Sequence, residues 1–176
     1  MSFALPELSG STAERYADLA AAAAALTDGE LDPIANAANL SALVKAAVPD
    51  LNWVGFYFYD GTELVVGPFQ GLPACIRIPL TRGVCGAAAR TRTTQRIDDV
   101  HAVADHIACD AATNSELVVP LVGSGDELLG VFDLDSERRS RFTDDDQAGL
   151  EAIARVYVES LQPGRVESLR PQRARP

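Results

Sequence analysis

The sequence predicts an α+β domain in which helices pack against an antiparallel sheet. Three observations carry this expectation. Helical periodicity with capping signals marks both ends of the chain, and strand-like runs occupy the middle. The length of 176 residues is that of one ordinary domain. With 47% hydrophobic and 23% charged residues, the chain can form a core of normal size, which excludes wholesale disorder.

The elements follow in order. Ser11 to Glu14 has the S-x-x-E form of a capping box, ahead of Tyr16, Leu19 and an alanine run, and Asp28-Gly29 ends this first helix. Asp32-Pro33 opens a second helix, with Ile34, Ala38, Leu43 and Val44 as its apolar face and Pro49 as its stop. The aromatic, β-branched run 52–59 is a strand that turns at Asp60-Gly61 into a hairpin partner at 63–66. Glycines and prolines punctuate residues 67–115. Within them, 84–92 reads as a short helix, 95–97 as a short strand and 98–114 as a long loop holding both histidines. Strands at 117–121 and 128–135 follow, joined through Gly123-Ser124-Gly125-Asp126. A last helix begins at Thr143, where Asp144, Asp145 and Asp146 complement its positive end, and runs to about Leu161. The expected organisation is a lead over 1–11, a catalytic unit over 12–161 and an Arg/Pro-rich, flexible tail over 162–176.

Charge and cysteine usage narrow the function. The net charge of −10 disfavours a nucleic-acid partner, and Arg165, Arg170, Arg173 and Arg175 crowd the tail, leaving the body more acidic still. No stretch approaches the ~20 apolar residues that span a bilayer, so no membrane partner is expected. Residues 1–6 lack the basic and apolar regions of a secretory signal, which points to the cytoplasm. An odd count of three cysteines suits a reducing compartment better than a disulfide framework.

All three cysteines, Cys75, Cys85 and Cys109, lie in the middle third among glycines and acids. Cys85, in Gly83-Val84-Cys85-Gly86, sits at the expected start of a helix, where unpaired N–H groups and the helix dipole favour a thiolate. Cys109 follows His106 by three residues and precedes Asp110. One alternative is that the cysteines fill core gaps as small hydrophobes. Another is zinc, but the spacings lack any C-x2–4-C knuckle and no metal is assigned. His101 and His106 read as loop hydrogen-bonding groups. Asp133 and Asp135 alternate in a strand and so share one face, which Glu116 on the preceding strand can reach. Three carboxylates there either lie on a solvated face or bind a cation or hold a proton. Trp53 and Tyr57, also of one parity, can line a cage beside them.

Several segments together resemble one family. These are Asn52-Trp53-Val54-Gly55-Phe56-Tyr57, Gly67-Pro68-Phe69-Gln70-Gly71, Pro73-Ala74-Cys75, Arg82-Gly83-Val84-Cys85-Gly86, Asp99-Val100-His101, His106-Ile107-Ala108-Cys109-Asp110, Asn114-Ser115-Glu116 and Asp133-Leu134-Asp135-Ser136. In this order they resemble the free methionine-(R)-sulfoxide reductases, single GAF-domain enzymes, over residues 12–161. The stretch Ala102-Val103-Ala104-Asp105 departs from the family in lacking an aromatic, a proline and a glycine, and Ala111-Ala112-Thr113 is also varied.

The resemblance implies a GAF fold with about six antiparallel strands flanked by helices. It implies thiol-dependent reduction of free methionine-(R)-sulfoxide through a sulfenic acid and a disulfide, with no cofactor. It makes Cys109 the nucleophile and Cys75 the resolving thiol; Cys85, which the helix-start argument alone would choose for attack, is the fallback nucleophile and otherwise an auxiliary resolving thiol. Glu116, Asp133 and Asp135 become the cluster that binds the substrate ammonium and supplies a proton, with Glu116 and Asp135 the donors and Asp133 serving affinity. Trp53 and Tyr57 become the wall around the methylsulfinyl group. A thioredoxin-type reductant and a homodimer are family-based expectations. The alternative class is a GAF sensor of a small ligand, with redox-active cysteines used for signalling.

Overall fold

The computed structural model describes residue 5 and residues 8–103 and 111–161. Helices α1 (Thr12–Thr27) and α2 (Pro33–Ala47) precede strands β1 (Trp53–Tyr59), β2 (Glu63–Gln70) and β3 (Arg77–Pro79). Helix α3 (Gly83–Thr91) and strand β4 (Gln95–Ile97) follow, then β5 (Ser115–Val122), β6 (Leu128–Ser136) and α4 (Asp144–Ser160). Short 3-10 turns occupy Val100–Ala102 and Ser124–Asp126. The strands form one six-stranded sheet in the order β3-β2-β1-β6-β5-β4, antiparallel throughout. The α+β expectation therefore holds.

The caps hold as well. The Ser11 hydroxyl accepts from the Glu14 amide, and the Glu14 carboxylate accepts from the Ser11 amide at 2.8 Å. Asp32 accepts from the amides of Ile34 and Ala35 ahead of α2. Thr143 and Asp146 form a second capping box at α4. That box also joins helices. Asp146 accepts from the Tyr16 hydroxyl at 2.7 Å and from Arg141 at 3.1 Å. Burial pushes the Asp146 carboxyl up, but the hydrogen bonds from Thr143, Tyr16 and Arg141 outweigh it and hold the group below the usual carboxylate range.

The sheet is buried on both faces, and strand alternation sorts the side chains between them. Val54, Phe56 and Phe58 of β1 face α1, α2 and α4, where Leu19, Leu40, Ile153 and Tyr157 complete the main core. Trp53 and Tyr57 face the other way, toward Val84, Cys85 and Ala88 of α3. Six of the seven β1 residues are buried, so the strand reads as a continuous aromatic run instead of an alternating one.

The structure departs from the sequence expectation at β2 and β3. Strand β2 continues through Gly67 and Pro68 to Gln70, because the register shifts between Gly55 and Tyr57 and a bulge absorbs the two residues. Pairing with β3 stops at Val65, so the missing proline N–H breaks no ladder on that side. Strand β3 has three residues, too few for a periodic signal. Strands β5 and β6 extend to Ser115 and Ser136, whose hydroxyls donate to the Arg138 and Asp50 carbonyls. Of the expected long loop, residues 104–110, with His106 and Cys109, lie outside the described residues, as do the tail 162–176 and most of 1–7. Among the described residues no helix is long and apolar enough to cross a membrane.

Helices α1 and α4 meet at Gly149, where an added Cβ would lie 2.1 Å from the Tyr16 ring. Alanine gains about 1 kcal/mol of helix propensity over glycine. Overpacking costs about 1–3 kcal/mol, and a ring locked by its bond to Asp146 yields poorly. Gly149→Ala should therefore lower the urea midpoint, and an unchanged or raised midpoint would show that the Tyr16 ring moves freely.

Candidate active site

The site lies on the sheet face beneath α3. Register brings its carboxylates together. Asp135 of β6 stands opposite Glu116 on β5 and Trp53 on β1, and Asp133 stands opposite Val118 and Gly55. All of these share one face. Helix α3 then lowers Cys85 onto them from its first turn. Its close seat depends on Gly86, where a Cβ would lie 2.8 Å from the Pro79 carbonyl oxygen.

Cys85, Glu116 and Asp133 are 4%, 5% and 6% exposed. The Cys85 thiol donates to Asp133 Oδ2 at 3.3 Å, with Glu116 Oε1 at 3.8 Å. Asp133 Oδ1 is buried and has no hydrogen-bond partner among the described residues. Asp135 is half-buried at the rim. Of the two readings of the trio, the solvated face is therefore overturned for Glu116 and Asp133.

Burial also overturns the helix-terminus argument for Cys85. Desolvation, followed by the nearby Asp133 and Glu116 charges, pushes the thiol well above its usual range. Exposed dipole and charge effects of about 0.3–1 kcal/mol do not compete with that. Desolvation and the Glu116 charge likewise push Asp133 well above the usual carboxylate range. Burial raises the Tyr57 hydroxyl too, reinforced by Asp133.

An aromatic wall closes one side. The Trp53 ring stacks on Tyr57 at 5.7 Å and on Phe69 at 5.2 Å between centroids. Its indole N–H donates to the Leu72 carbonyl at 3.2 Å, tying the loop after β2 to the wall. Gly55 and Gly71 make room, since a Cβ on either would lie within 3 Å of the Trp53 side chain. Trp53, Tyr57, Leu72, Pro73, Ala74, Asp133 and Asp135 line a small, tight pocket. Cys75, the next residue along that loop, is half-buried and disulfide-bonded, whereas Cys85 is a free thiol. His101 sits on the 3-10 turn with its Nε2 3.1 Å from Asn114 Oδ1, a loop hydrogen bond as expected.

Seven of the eight expected site residues are described, and the structure gathers them on one sheet face, the helix α3 above it and the loop after β2. Phe69, Leu72, Pro73 and Ala74 were not expected in the wall. The signal for Phe69 is Gly55, its register partner, a glycine set between aromatics where a side chain would collide.

The chain's similarity to known proteins agrees with this geometry. The GAF domain family matches residues 38–162. The free methionine-R-sulfoxide reductase of Escherichia coli (strain K12) is 51% identical over 140 residues, covering 80% of this chain and 84% of that protein. The chain belongs to the free methionine-R-sulfoxide reductase family. The X-ray structure of the family's member from Neisseria meningitidis, in complex with its substrate, is 38% identical with a TM-score of 0.86, over 94% of this chain and 97% of that one. A structure from Burkholderia vietnamiensis described as a GAF sensor protein is 57% identical with a TM-score of 0.85, over 90% of this chain and 99% of that one. The expectations of the GAF fold and of this family thus hold.

The displaced Asp133 titration has a consequence for stability. Between the ordinary carboxylate range and its raised folded value, the native state holds a proton that the unfolded chain has released. Stability therefore falls as pH rises through that window, by up to about 1.4 kcal/mol per pH unit. Asp133→Asn removes this penalty and keeps the shape of the protonated acid. The variant should be more stable than wild type at pH 7–8, with the gap closing toward pH 4. Denaturant titrations across that range measure it, and a constant gap would contradict the assignment.

Proposed function

We propose that this chain reduces free L-methionine-(R)-sulfoxide to methionine, with Cys109 as nucleophile and Cys75 as resolving thiol. The observation that carries the reading is the disulfide-bonded Cys75 next to Ala74, in the loop that lines an aromatic pocket with carboxyl groups at its base. A redox-active sulfur, an apolar wall for a methylsulfinyl group and acids for an ammonium group thus converge. The catalytic unit is residues 12–161.

In the cycle, the Cys109 thiolate attacks the sulfoxide sulfur. The oxygen takes a proton from a carboxyl group, because oxide cannot leave at neutral pH. Methionine departs and Cys109 is left as a sulfenic acid. The Cys75 thiol displaces water from it, forming the disulfide, and a cytoplasmic dithiol of thioredoxin type reduces that bond by exchange. The buried, protonated Cys85 is a poor candidate for attack, which supports Cys109 in that role.

Burial shifts the roles within the acidic trio. The sequence reading puts the transferable proton on Glu116 and Asp135. Asp133, whose carboxyl desolvation and the Glu116 charge push up, is the better donor, and its Oδ1 has no protein partner to give up among the described residues. Glu116 and Asp135 then serve the substrate ammonium.

A coupled NADPH assay with separate epimers tests the reading. The free R epimer should turn over well, the S epimer poorly and the N-acetylated R compound scarcely, since acetylation removes the ammonium charge. Equal turnover of the N-acetyl compound would remove the acids from substrate binding. Tight binding of the free R epimer without turnover would favour the sensor class.

Single-turnover methionine release separates the thiols. Cys109→Ser should abolish it. Cys75→Ser should preserve it while slowing steady-state recycling, and Cys85→Ser should be the mildest. Loss of the single turnover in Cys85→Ser alone would move the nucleophile to Cys85.

A further inference from the structure

We infer that Cys85, Glu116 and Asp133 form a binding site for a thiophilic divalent cation of the zinc type, one that occupies the pocket base in place of substrate. The cysteine spacing in the sequence hides such a site, because two of its donors are carboxylates on neighbouring strands. One ligand atom from each residue lies within 4.8 Å of the others, and all three residues are buried.

The spacing fits a metal of this kind. Zinc bonds of about 2.3 Å to sulfur and 2.0–2.2 Å to carboxylate oxygen, at the tetrahedral angle, place sulfur and oxygen about 3.6 Å apart. The two measured separations from Cys85 Sγ, 3.3 Å to Asp133 and 3.8 Å to Glu116, straddle that value. The second observation is Asp133 Oδ1, a buried oxygen on a residue 6% exposed, with no hydrogen-bond partner among the described residues. A metal, or water on its open fourth position, would satisfy it. One thiolate with two carboxylates suits zinc, whereas magnesium and calcium prefer all-oxygen shells. On binding, the Cys85 thiol and the Asp133 carboxyl each release a proton to solvent, and Sγ–metal and O–metal bonds form. The cation also neutralises a crowded set of acids, which burial otherwise penalises. That the metal displaces substrate rests on the function proposed above; the binding itself does not.

The test uses the full chain carrying Cys75→Ser and Cys109→Ser, so that Cys85 is the remaining thiol. Cobalt(II) should give a thiolate-to-metal charge-transfer band in this protein, and zinc should remove it. Competition against a chromophoric chelator gives the zinc affinity. Adding Cys85→Ser should abolish the band and weaken zinc by ~10²-fold or more, and Asp133→Asn or Glu116→Gln should weaken it by ~10-fold or more while keeping the thiol. No band in the double variant, or a band that survives Cys85→Ser, would overturn the proposal. Unchanged zinc affinity in both carboxylate variants would do the same. None of these readouts needs turnover, so a failed reductase assay leaves them intact.

Discussion

The burial of three ionisable side chains at one point of the sheet governs the rest of the structure. Cys85, Glu116 and Asp133 are nearly solvent-free and within hydrogen-bonding or coulombic reach of one another. Placing a charge in such surroundings costs several kcal/mol unless it is paired or neutralised. The fold answers that cost by disfavouring the charged forms, pushing both the Cys85 thiol and the Asp133 carboxyl up. It also keeps the chemistry apart from the main core, on the opposite sheet face. There Phe56 stacks on Phe132 at 4.7 Å and lies tilted against Tyr157 at 4.6 Å, among fully buried leucines.

Much of the frame was legible because it is written in local chemistry. Capping residues, the Asp-Pro helix start, the aromatic run of β1 and the paired parity of Asp133 and Asp135 each act within a few residues. The illegible parts depend on partners far away in the chain. Strand β3 exists because three residues of β2 pair with it, and β2 outlasts its glycine and proline because the two form a bulge opposite the single residue Phe56 of β1. The wall residues after β2 became visible only through the Trp53 bond to the Leu72 carbonyl.

Cys85 shows the same limit at the scale of one atom. A helix start lowers a thiol's pKa when the thiol is open to water and a counter-charge is absent or positive. Sequence position reveals the helix start. It does not reveal that β5 and β6 place two carboxyl groups under that turn, nor that α3 seals them by resting Gly86 on the Pro79 carbonyl. Once that seat is known, the sign of the effect reverses, and the residue with the best local credentials for attack becomes the least suited to it.

Trp53 ties the pocket to the loop that carries Cys75. Trp53 stacks on Tyr57 and Phe69 and holds the Leu72 carbonyl, three residues before the disulfide-bonded Cys75. Gly71, at φ +142°, brings the chain against the Trp53 ring, where a Cβ would lie 2.5 Å from Cδ1. That backbone conformation strains any side-chain-bearing residue. The loop's path is thus set by an indole whose ring also forms the wall of the pocket. One side chain of the central strand β1 thus fixes both the wall of the pocket and the backbone that leads to Cys75.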